Sequence, residues 1–316
     1  MRTNRLIMLL VCCFAWLQAV QASETGASVQ SGQMTLMGSL ETPEGVEKPP
    51  VVLIIAGSGP TDRDGNSRMI PGKNNSLRMV AEALSAAGIA SLRYDKRGVG
   101  ASLQLQAARD LQFDDYVGDA AAWIDWLQQS GKFSRIIVLG HSEGSLIAML
   151  AAQRTKVSAV ISLCGPADNI ADILQWQVSR ALDPEGSAAH QRFLEDLKNG
   201  KAGAEPPATV ARIYPPSVRG FLRSAMAYTP SDEIRKLRIP VMAVGGTHDI
   251  QVTDEQVRKL AASHDGVRLV VIEGMNHVLK TTAAAPAVQI SSYGDPSLPL
   301  ASALMPQVLD FIRRLP

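Results

Sequence analysis

The segment Gly140-His141-Ser142-Glu143-Gly144 places a serine between two glycines at the spacing of a sharp turn. An aliphatic run typical of a buried strand precedes it, and residues 145–152, apolar on nearly every side, predict a buried helix after it. A strand, a tight turn and a helix in this order expose the serine hydroxyl beside free backbone N–H groups that favour negative charge. We therefore predict that Ser142 is the nucleophile of an acyl-transfer reaction rather than a structural turn residue.

A serine hydroxyl becomes a good nucleophile when a base removes its proton, so a histidine is expected further along the chain. Of the five histidines, His277 lies in a loop directly after the last predicted strand, at the end where sheet enzymes collect their active sites. We predict that His277 is this base. His141 is adjacent to the serine, where we expect the backbone to direct its ring away.

The base in turn needs a carboxylate that fixes its tautomer and stabilises the imidazolium. Asp249 lies in the loop that follows a predicted strand, and we predict that it is this acid. The alternative is Asp168, which follows the preceding predicted strand and could face the same histidine. The chain order Ser142, Asp249, His277 is expected of one hydrolase architecture and differs from the orders of the other serine-protease folds.

Attack on a carbonyl creates a negative oxygen that needs two hydrogen-bond donors. For this oxyanion hole we predict the backbone N–H groups of Glu143, directly after the nucleophile, and of Ser58, in a glycine-rich loop after an aliphatic strand. Gly57 and Gly59 flank Ser58 and let the main chain approach the substrate, so we expect both to contribute to substrate binding. Trp176 is a further candidate for the pocket lining, although packing would explain it equally well.

Short aliphatic runs alternate along the chain with longer segments of helical period, which is typical of βαβ units. The sequence therefore predicts an α/β fold, with a mostly parallel central sheet flanked by helices. We assign residues 23–166 and 237–316 to this core. Residues 167–236 contain helical stretches broken by proline pairs, and we expect a helical cap there, inserted before the penultimate strand.

Several motifs together resemble the α/β-hydrolases, especially secreted bacterial esterase-like members near the dienelactone-hydrolase and serine-aminopeptidase groups. These motifs are the loops that contain Ser58, Ser142, Asp249 and His277, and the segment Tyr94-Asp95-Lys96-Arg97-Gly98-Val99-Gly100. The resemblance covers roughly residues 36–311. It implies the same nucleophile, acid and base, and it leaves the substrate open.

Residues 1–22 have the basic head, apolar run and small-residue ending of a secretory signal. A membrane anchor is the alternative, but it needs about 20 consecutive apolar residues, more than this run contains. We therefore expect an exported protein, periplasmic or extracellular, with no stable membrane anchor after cleavage. Cys164 would then be the sole thiol, so no internal disulfide could form.

Composition narrows the classes of partner. Thirty-one basic and 30 acidic side chains give a formal charge of +1, which supplies no electrostatic footprint for nucleic acid. A hydrophobic fraction of 46% is enough for a sizeable core. The expected partner is a small-molecule acyl substrate, and the oligomeric state is left open.

Taken together, these residues predict a serine hydrolase that cleaves small or medium carboxylic esters through an acyl-enzyme on Ser142, with no cofactor or metal. The same residues would serve a thioesterase, an amidase or an aminopeptidase, since the choice depends on the geometry of the cap. An alternative from another class is a non-catalytic protein that holds an apolar ligand on the same scaffold.

Overall fold

The computed structural model describes residues 22–103 and 111–316, so residues 1–21, nearly all of the predicted signal, lie outside the described part of the chain. The strands of the described part are β1 (Ala22–Ser31), β2 (Met34–Pro43), β3 (Val51–Ile55), β4 (Ala90–Tyr94), β5 (Ile136–His141), β6 (Ala159–Leu163), β7 (Val241–Gly246) and β8 (Arg268–Ile272). They form one sheet in the order β1-β2-β4-β3-β5-β6-β7-β8.

The helices of the described part are α1 (Ser76–Ala86), α2 (Phe113–Gln129), α3 (Glu143–Arg154), α4 (Ile170–Ser179), α5 (Pro184–Lys198), α6 (Pro216–Ala225), α7 (Pro230–Ile234), α8 (Asp254–Ala262), α9 (Pro286–Ser292) and α10 (Leu304–Arg313). Two 3₁₀ turns, Gly100–Ser102 and Ala211–Ile213, complete the set. No helix in this part of the chain is both long enough and apolar enough to cross a membrane.

The centre of the sheet is parallel, and its strands are buried on both faces. Every residue of β3 and β5 is buried, and the two strands pair in parallel with Leu53 opposite Val138. The parallel pairing continues through β6 and β7 to β8. The exception is the N-terminal hairpin of β1 and β2, which turns at Gly32 (φ +58°) and joins β4 in antiparallel orientation.

Helices cover both faces of the sheet and form two apolar cores. On one face α2 and α3 pack, and Trp123 of α2 is fully buried with its ring centroid 5.9 Å from that of Tyr94. On the other face α1 and α10 pack against the same strands. All parallel strands therefore end at one edge of a rigid scaffold, where their loops meet.

The cap lies between β6 and β7 and consists of α4 to α7. It has an apolar cluster of its own, which includes Phe193, Tyr214 and Met226. Asn169 joins the two ends of the cap: its Oδ1 accepts from the N–H of Ala171 at 3.1 Å, and its Nδ2 donates to the Met226 carbonyl at 2.9 Å. The predicted fold class, a mostly parallel sheet flanked by helices with a helical insertion before the penultimate strand, is confirmed.

Candidate active site

Ser142 occupies a strained turn between β5 and α3. Its φ of 54° and ψ of −122° lie in a region that residues with a side chain rarely adopt. The turn requires the two glycines: a Cβ on Gly140 would lie 2.0 Å from the Gly144 carbonyl oxygen, and one on Gly144 would lie 2.5 Å from the Ile55 carbonyl oxygen. The tight packing of strand, turn and helix thus fixes the backbone position from which the Ser142 side chain extends.

His277 and Asp249 come from loops after β8 and β7 and meet at this edge of the sheet. The Nδ1 of His277 lies 2.7 Å from Oδ2 of Asp249, and both side chains are almost fully buried. The other carboxylate oxygen, Oδ1, accepts from the backbone N–H groups of Gln251 at 2.8 Å and Val252 at 2.9 Å. Both oxygens of Asp249 are therefore held, and the acid orients the imidazole.

Asp168, the alternative acid, faces a different set of partners. Its carboxylate lies 2.5 Å from the Nζ of Lys259 and accepts from the Nε2 of Gln256 at 2.8 Å. Burial raises the pKa of Asp168, but the hydrogen bonds from Gln256 and Lys259 outweigh burial and lower it. Since Asp249 is the carboxylate in contact with His277, the geometry favours Asp249 over Asp168.

His141 takes part in the site through the loop of His277. Its Nε2 lies 2.7 Å from the His277 carbonyl oxygen, and because a carbonyl only accepts, Nε2 carries the proton. The two rings are 4.9 Å apart between centroids. Burial, with a smaller contribution from His277, lowers the pKa of His141 to about 4. Its imidazole is therefore neutral at physiological pH and serves as a fixed donor.

Cys164 forms a buried cluster with His141 and His277. One ligand atom each from His141, Cys164 and His277 lies within 4.8 Å of the others, and all three side chains are buried. Both histidines already use one ring nitrogen for a hydrogen bond, and burial raises the pKa of the Cys164 thiol. A cation would have to deprotonate this thiol, so the cluster is a poor metal site.

The Ser142 hydroxyl itself makes no hydrogen bond to any residue that the structure describes. In hydrolases without substrate, the contact between nucleophile and base is often long and shortens when substrate binds. The two predicted oxyanion donors are likewise free: within the described chain, the backbone N–H groups of Ser58 and Glu143 donate to no acceptor. The predicted nucleophile and both predicted donors line one cavity.

This cavity has a volume of about 240 Å³ and lies between the cap and the core. Most of its lining is apolar; among the side chains are Phe113, Leu146, Ile173, Leu174, Phe221 and Leu222. Gln177 of α4 also lines it and donates from Nε2 to the Gln251 carbonyl oxygen at 2.9 Å, which joins the cap to the loop of Asp249. The cavity thus suits an apolar group attached to a carbonyl.

Two of the predicted substrate contacts need correction. Trp176 does not line the cavity: it is 39% exposed, on another side of α4, and its ring stacks on the Arg180 guanidinium at 4.9 Å. Ile173, Leu174 and Gln177 of α4 line the cavity. Trp176, two residues after Leu174, is turned about 200° around the helix axis from it. Gly59 lines the cavity as expected, whereas Gly57 lies behind it, next to Ser142.

A parallel sheet whose central strand ends in such a serine turn is the architecture of the α/β-hydrolases. Within this class, the chain belongs to the family described as serine aminopeptidase, S33 (Hydrolase_4), which it matches over residues 73–281.

Characterised relatives of the chain include esterases. Esterase EstD of Thermotoga maritima is 27% identical over 251 residues, a match that covers 77% of this chain and 58% of EstD. Rhodomycin D methylesterase DnrP of Streptomyces peucetius is 27% identical, with 65% of this chain and 80% of that protein covered. The structure of Est1E from Butyrivibrio proteoclasticus with bound ferulic acid aligns with a TM-score of 0.63 at 22% identity over 92% of this chain and 98% of Est1E, which shows a shared fold.

Proposed function

We propose that the protein is a serine hydrolase that cleaves small or medium carboxylic esters through an acyl-enzyme on Ser142. The observation that carries this proposal is the contact of 2.7 Å between His277 Nδ1 and Asp249 Oδ2 at the sheet edge where the strained Ser142 turn opens into an apolar cavity. A ligand-binding protein would have no use for a buried, carboxylate-held imidazole at this place.

The proposed reaction has two halves. His277 removes the proton of the Ser142 hydroxyl, which attacks the ester carbonyl, and the Ser58 and Glu143 N–H groups bind the resulting oxyanion. The imidazolium, stabilised by Asp249, then protonates the departing alcohol. In the second half His277 activates a water molecule that releases the acid from Ser142. This sequence of proton transfers needs no cofactor.

The cavity favours an uncharged acyl group over the N-terminus of a peptide. Of the residues that line it, two carry carboxylates, and both are paired: Asp168 with Lys259 at 2.5 Å, and Glu143 with Lys96 at 3.6 Å. An α-ammonium group would therefore find no free anion there and would lose its hydration without compensation. The esterase names of EstD and DnrP support the same choice.

A panel of chromogenic ester and amide substrates tests this proposal. We expect turnover of p-nitrophenyl esters with apolar acyl chains and at least about a hundredfold lower kcat/KM for aminoacyl p-nitroanilides. A fluorophosphonate probe should label the wild type and not Ser142→Ala. A folded wild type that takes up no label and cleaves no ester would favour the ligand-binding alternative.

We further propose that the protein is exported. Residues 1–22, with the basic head, apolar run and small-residue ending of a secretory signal, support this. N-terminal sequencing of the protein recovered from the producing cell should give a chain that begins near Ser23. A chain that retains Met1 and remains in the cytoplasm would contradict export without affecting the proposed activity.

A further inference from the structure

A buried lysine lies directly behind the two proposed oxyanion donors. Lys96 follows β4, and only 1% of its side chain is exposed. Its Nζ donates to the carbonyl oxygen of Gly57, lies 3.6 Å from Oε1 of Glu143 and 5.0 Å from the centroid of the Tyr116 ring. One ammonium group therefore contacts both segments that carry a proposed donor.

The first of these contacts fixes the Ser58 N–H. The carbonyl of Gly57 and the N–H of Ser58 belong to the same peptide unit, which is planar and trans, so the two groups point in opposite directions. Because Lys96 holds the carbonyl on the interior side, the N–H faces the cavity that Ser58 lines. A charge-assisted hydrogen bond to the carbonyl also polarises the peptide and strengthens its N–H as a donor.

The second contact concerns the first turn of α3. Glu143 carries the other proposed donor on its backbone, and its side-chain Oε1 has no hydrogen bond to the described residues, so the Lys96 ammonium is the cation that compensates it. The Glu143 side chain thereby holds the start of the helix against the loop of Gly57. Both donors are then positioned through contacts with the same ammonium group, that of Lys96.

Stability alone does not account for this pair. Burial lowers the pKa of Lys96 and raises that of Glu143, and the mutual attraction of the two groups opposes both shifts. Replacing a buried ion pair by apolar side chains of similar volume often leaves the stability of a protein unchanged or increases it. The pair therefore calls for a role that an apolar replacement could not supply.

We propose that Lys96 is a positioning residue of the oxyanion hole, which aims the Ser58 N–H through the Gly57 carbonyl and the Glu143 N–H through the Glu143 side chain. This inference rests on the proposed ester hydrolysis, and it adds a residue that does not touch the substrate. Its effect should be confined to states in which the carbonyl oxygen carries negative charge.

Two inhibitors separate this role from a merely structural one. A trifluoromethyl ketone with an apolar chain forms a tetrahedral adduct with the serine and places an oxyanion in the hole, whereas the matching methyl ketone binds as an uncharged carbonyl. In Lys96→Met we expect kcat to fall about ten- to a hundredfold, below the loss for deleting a donor outright. KM and the methyl ketone Ki should change less than about threefold, while the trifluoromethyl ketone should lose affinity in step with kcat.

The double variant Lys96→Met/Glu143→Gln covers the case in which the single variant folds poorly, since it leaves no unpaired buried charge. We expect it to unfold near the wild-type temperature with the same catalytic loss. Lys236→Met is the matched control, because Lys236 forms an ion pair with Glu233 at 2.8 Å and is half-exposed. Its kcat and its affinities for both ketones should match those of the wild type.

The outcomes distinguish the two proposals. A wild type that hydrolyses esters, with a double variant of unchanged kcat and trifluoromethyl ketone affinity, would overturn the role of Lys96 alone. An equal loss for both ketones would also overturn it, because it would indicate a distorted pocket. A wild type that neither hydrolyses esters nor binds the trifluoromethyl ketone would overturn the proposed function and this inference with it.

Discussion

His141 and His277 are joined by a hydrogen bond in which the His141 Nε2–H donates to the His277 backbone carbonyl over 2.7 Å. The residue next to the proposed nucleophile thus holds the loop that carries the proposed base. This link connects the ends of β5 and β8, which are separated in the sheet by β6 and β7. It fixes the relative position of the two loops independently of any contact between the Ser142 hydroxyl and the imidazole.

Burial of the His141 ring should make stability depend on pH. His141 binds a proton more weakly in the folded protein, with a pKa of about 4, than in the unfolded chain, where the value is 6.5. Its contribution is therefore fully present above pH 6.5 and is lost as the pH falls toward 4, by about 2 kcal/mol near pH 4.5. Urea unfolding at pH 7 and pH 4.5 measures the loss.

The variant His141→Gln isolates this contribution, because its side-chain amide can still donate to the His277 carbonyl but does not titrate. We expect the change in unfolding free energy between the two pH values to be smaller by about 2 kcal/mol than in the wild type. Equal changes in the two proteins would show that His141 is not the titrating group.

The assignment of the acid can be tested with two amide variants. Asp249→Asn should lower kcat by on the order of 10⁴-fold, because the amide favours the wrong tautomer of His277 and cannot stabilise its cation. Asp168→Asn should change kcat less than about threefold, since its carboxylate contacts Lys259 and Gln256 instead. Steady-state kinetics on one p-nitrophenyl ester decides between them, and the reverse pattern would make Asp168 the acid.

The strained turn predicts opposite effects for two glycine-to-alanine changes in helices. Gly144→Ala should destabilise the protein by about 2 kcal/mol and lower activity, because its Cβ would lie 2.5 Å from the Ile55 carbonyl oxygen. Gly118→Ala in α2 meets nothing within 4 Å and should stabilise by about 0.5 kcal/mol with unchanged activity. Thermal unfolding and ester turnover test both, and a Gly144→Ala protein as stable and active as the wild type would refute the packing argument.

The acyl chain is expected to occupy the cavity beneath the cap. Leu174→Trp should therefore lower kcat/KM for an octanoyl ester at least about tenfold more than for an acetyl ester. Trp176→Ala is the control on the same helix, because Trp176 lies outside the cavity. Its loss should leave the ratio of kcat/KM for the octanoyl ester to kcat/KM for the acetyl ester unchanged. An altered ratio in the Trp176 variant, or none in the Leu174 variant, would place the acyl chain elsewhere.

The sequence predicted the fold because its central strands are continuous aliphatic runs and its helices follow them in a regular alternation. It did not predict the hairpin of β1 and β2, because the edge strand β1 is largely exposed and has no such run. The loops of Asp249 and His277 could be found because residues after parallel strands gather at one edge of the sheet.

Other features of the site depend on tertiary contacts that the sequence pattern does not contain. Trp176 was a candidate for the pocket lining, with packing as an equal alternative, whereas the rotation of α4 decides which side chains face inward. Lys96 gave no signal of its position, since lysines are almost always exposed, and its burial follows from the packing of Tyr116 and the loop of Gly57 around it.

Direct detection of the acyl-enzyme tests the central claim most closely. The protein is mixed with a p-nitrophenyl ester, quenched in acid during the first turnovers and examined by intact and peptide mass spectrometry. We predict one acyl group per chain, on the peptide that contains Ser142, and none in Ser142→Ala. Rapid ester cleavage by the wild type with the acyl group on another residue, or undiminished cleavage by Ser142→Ala, would contradict the account.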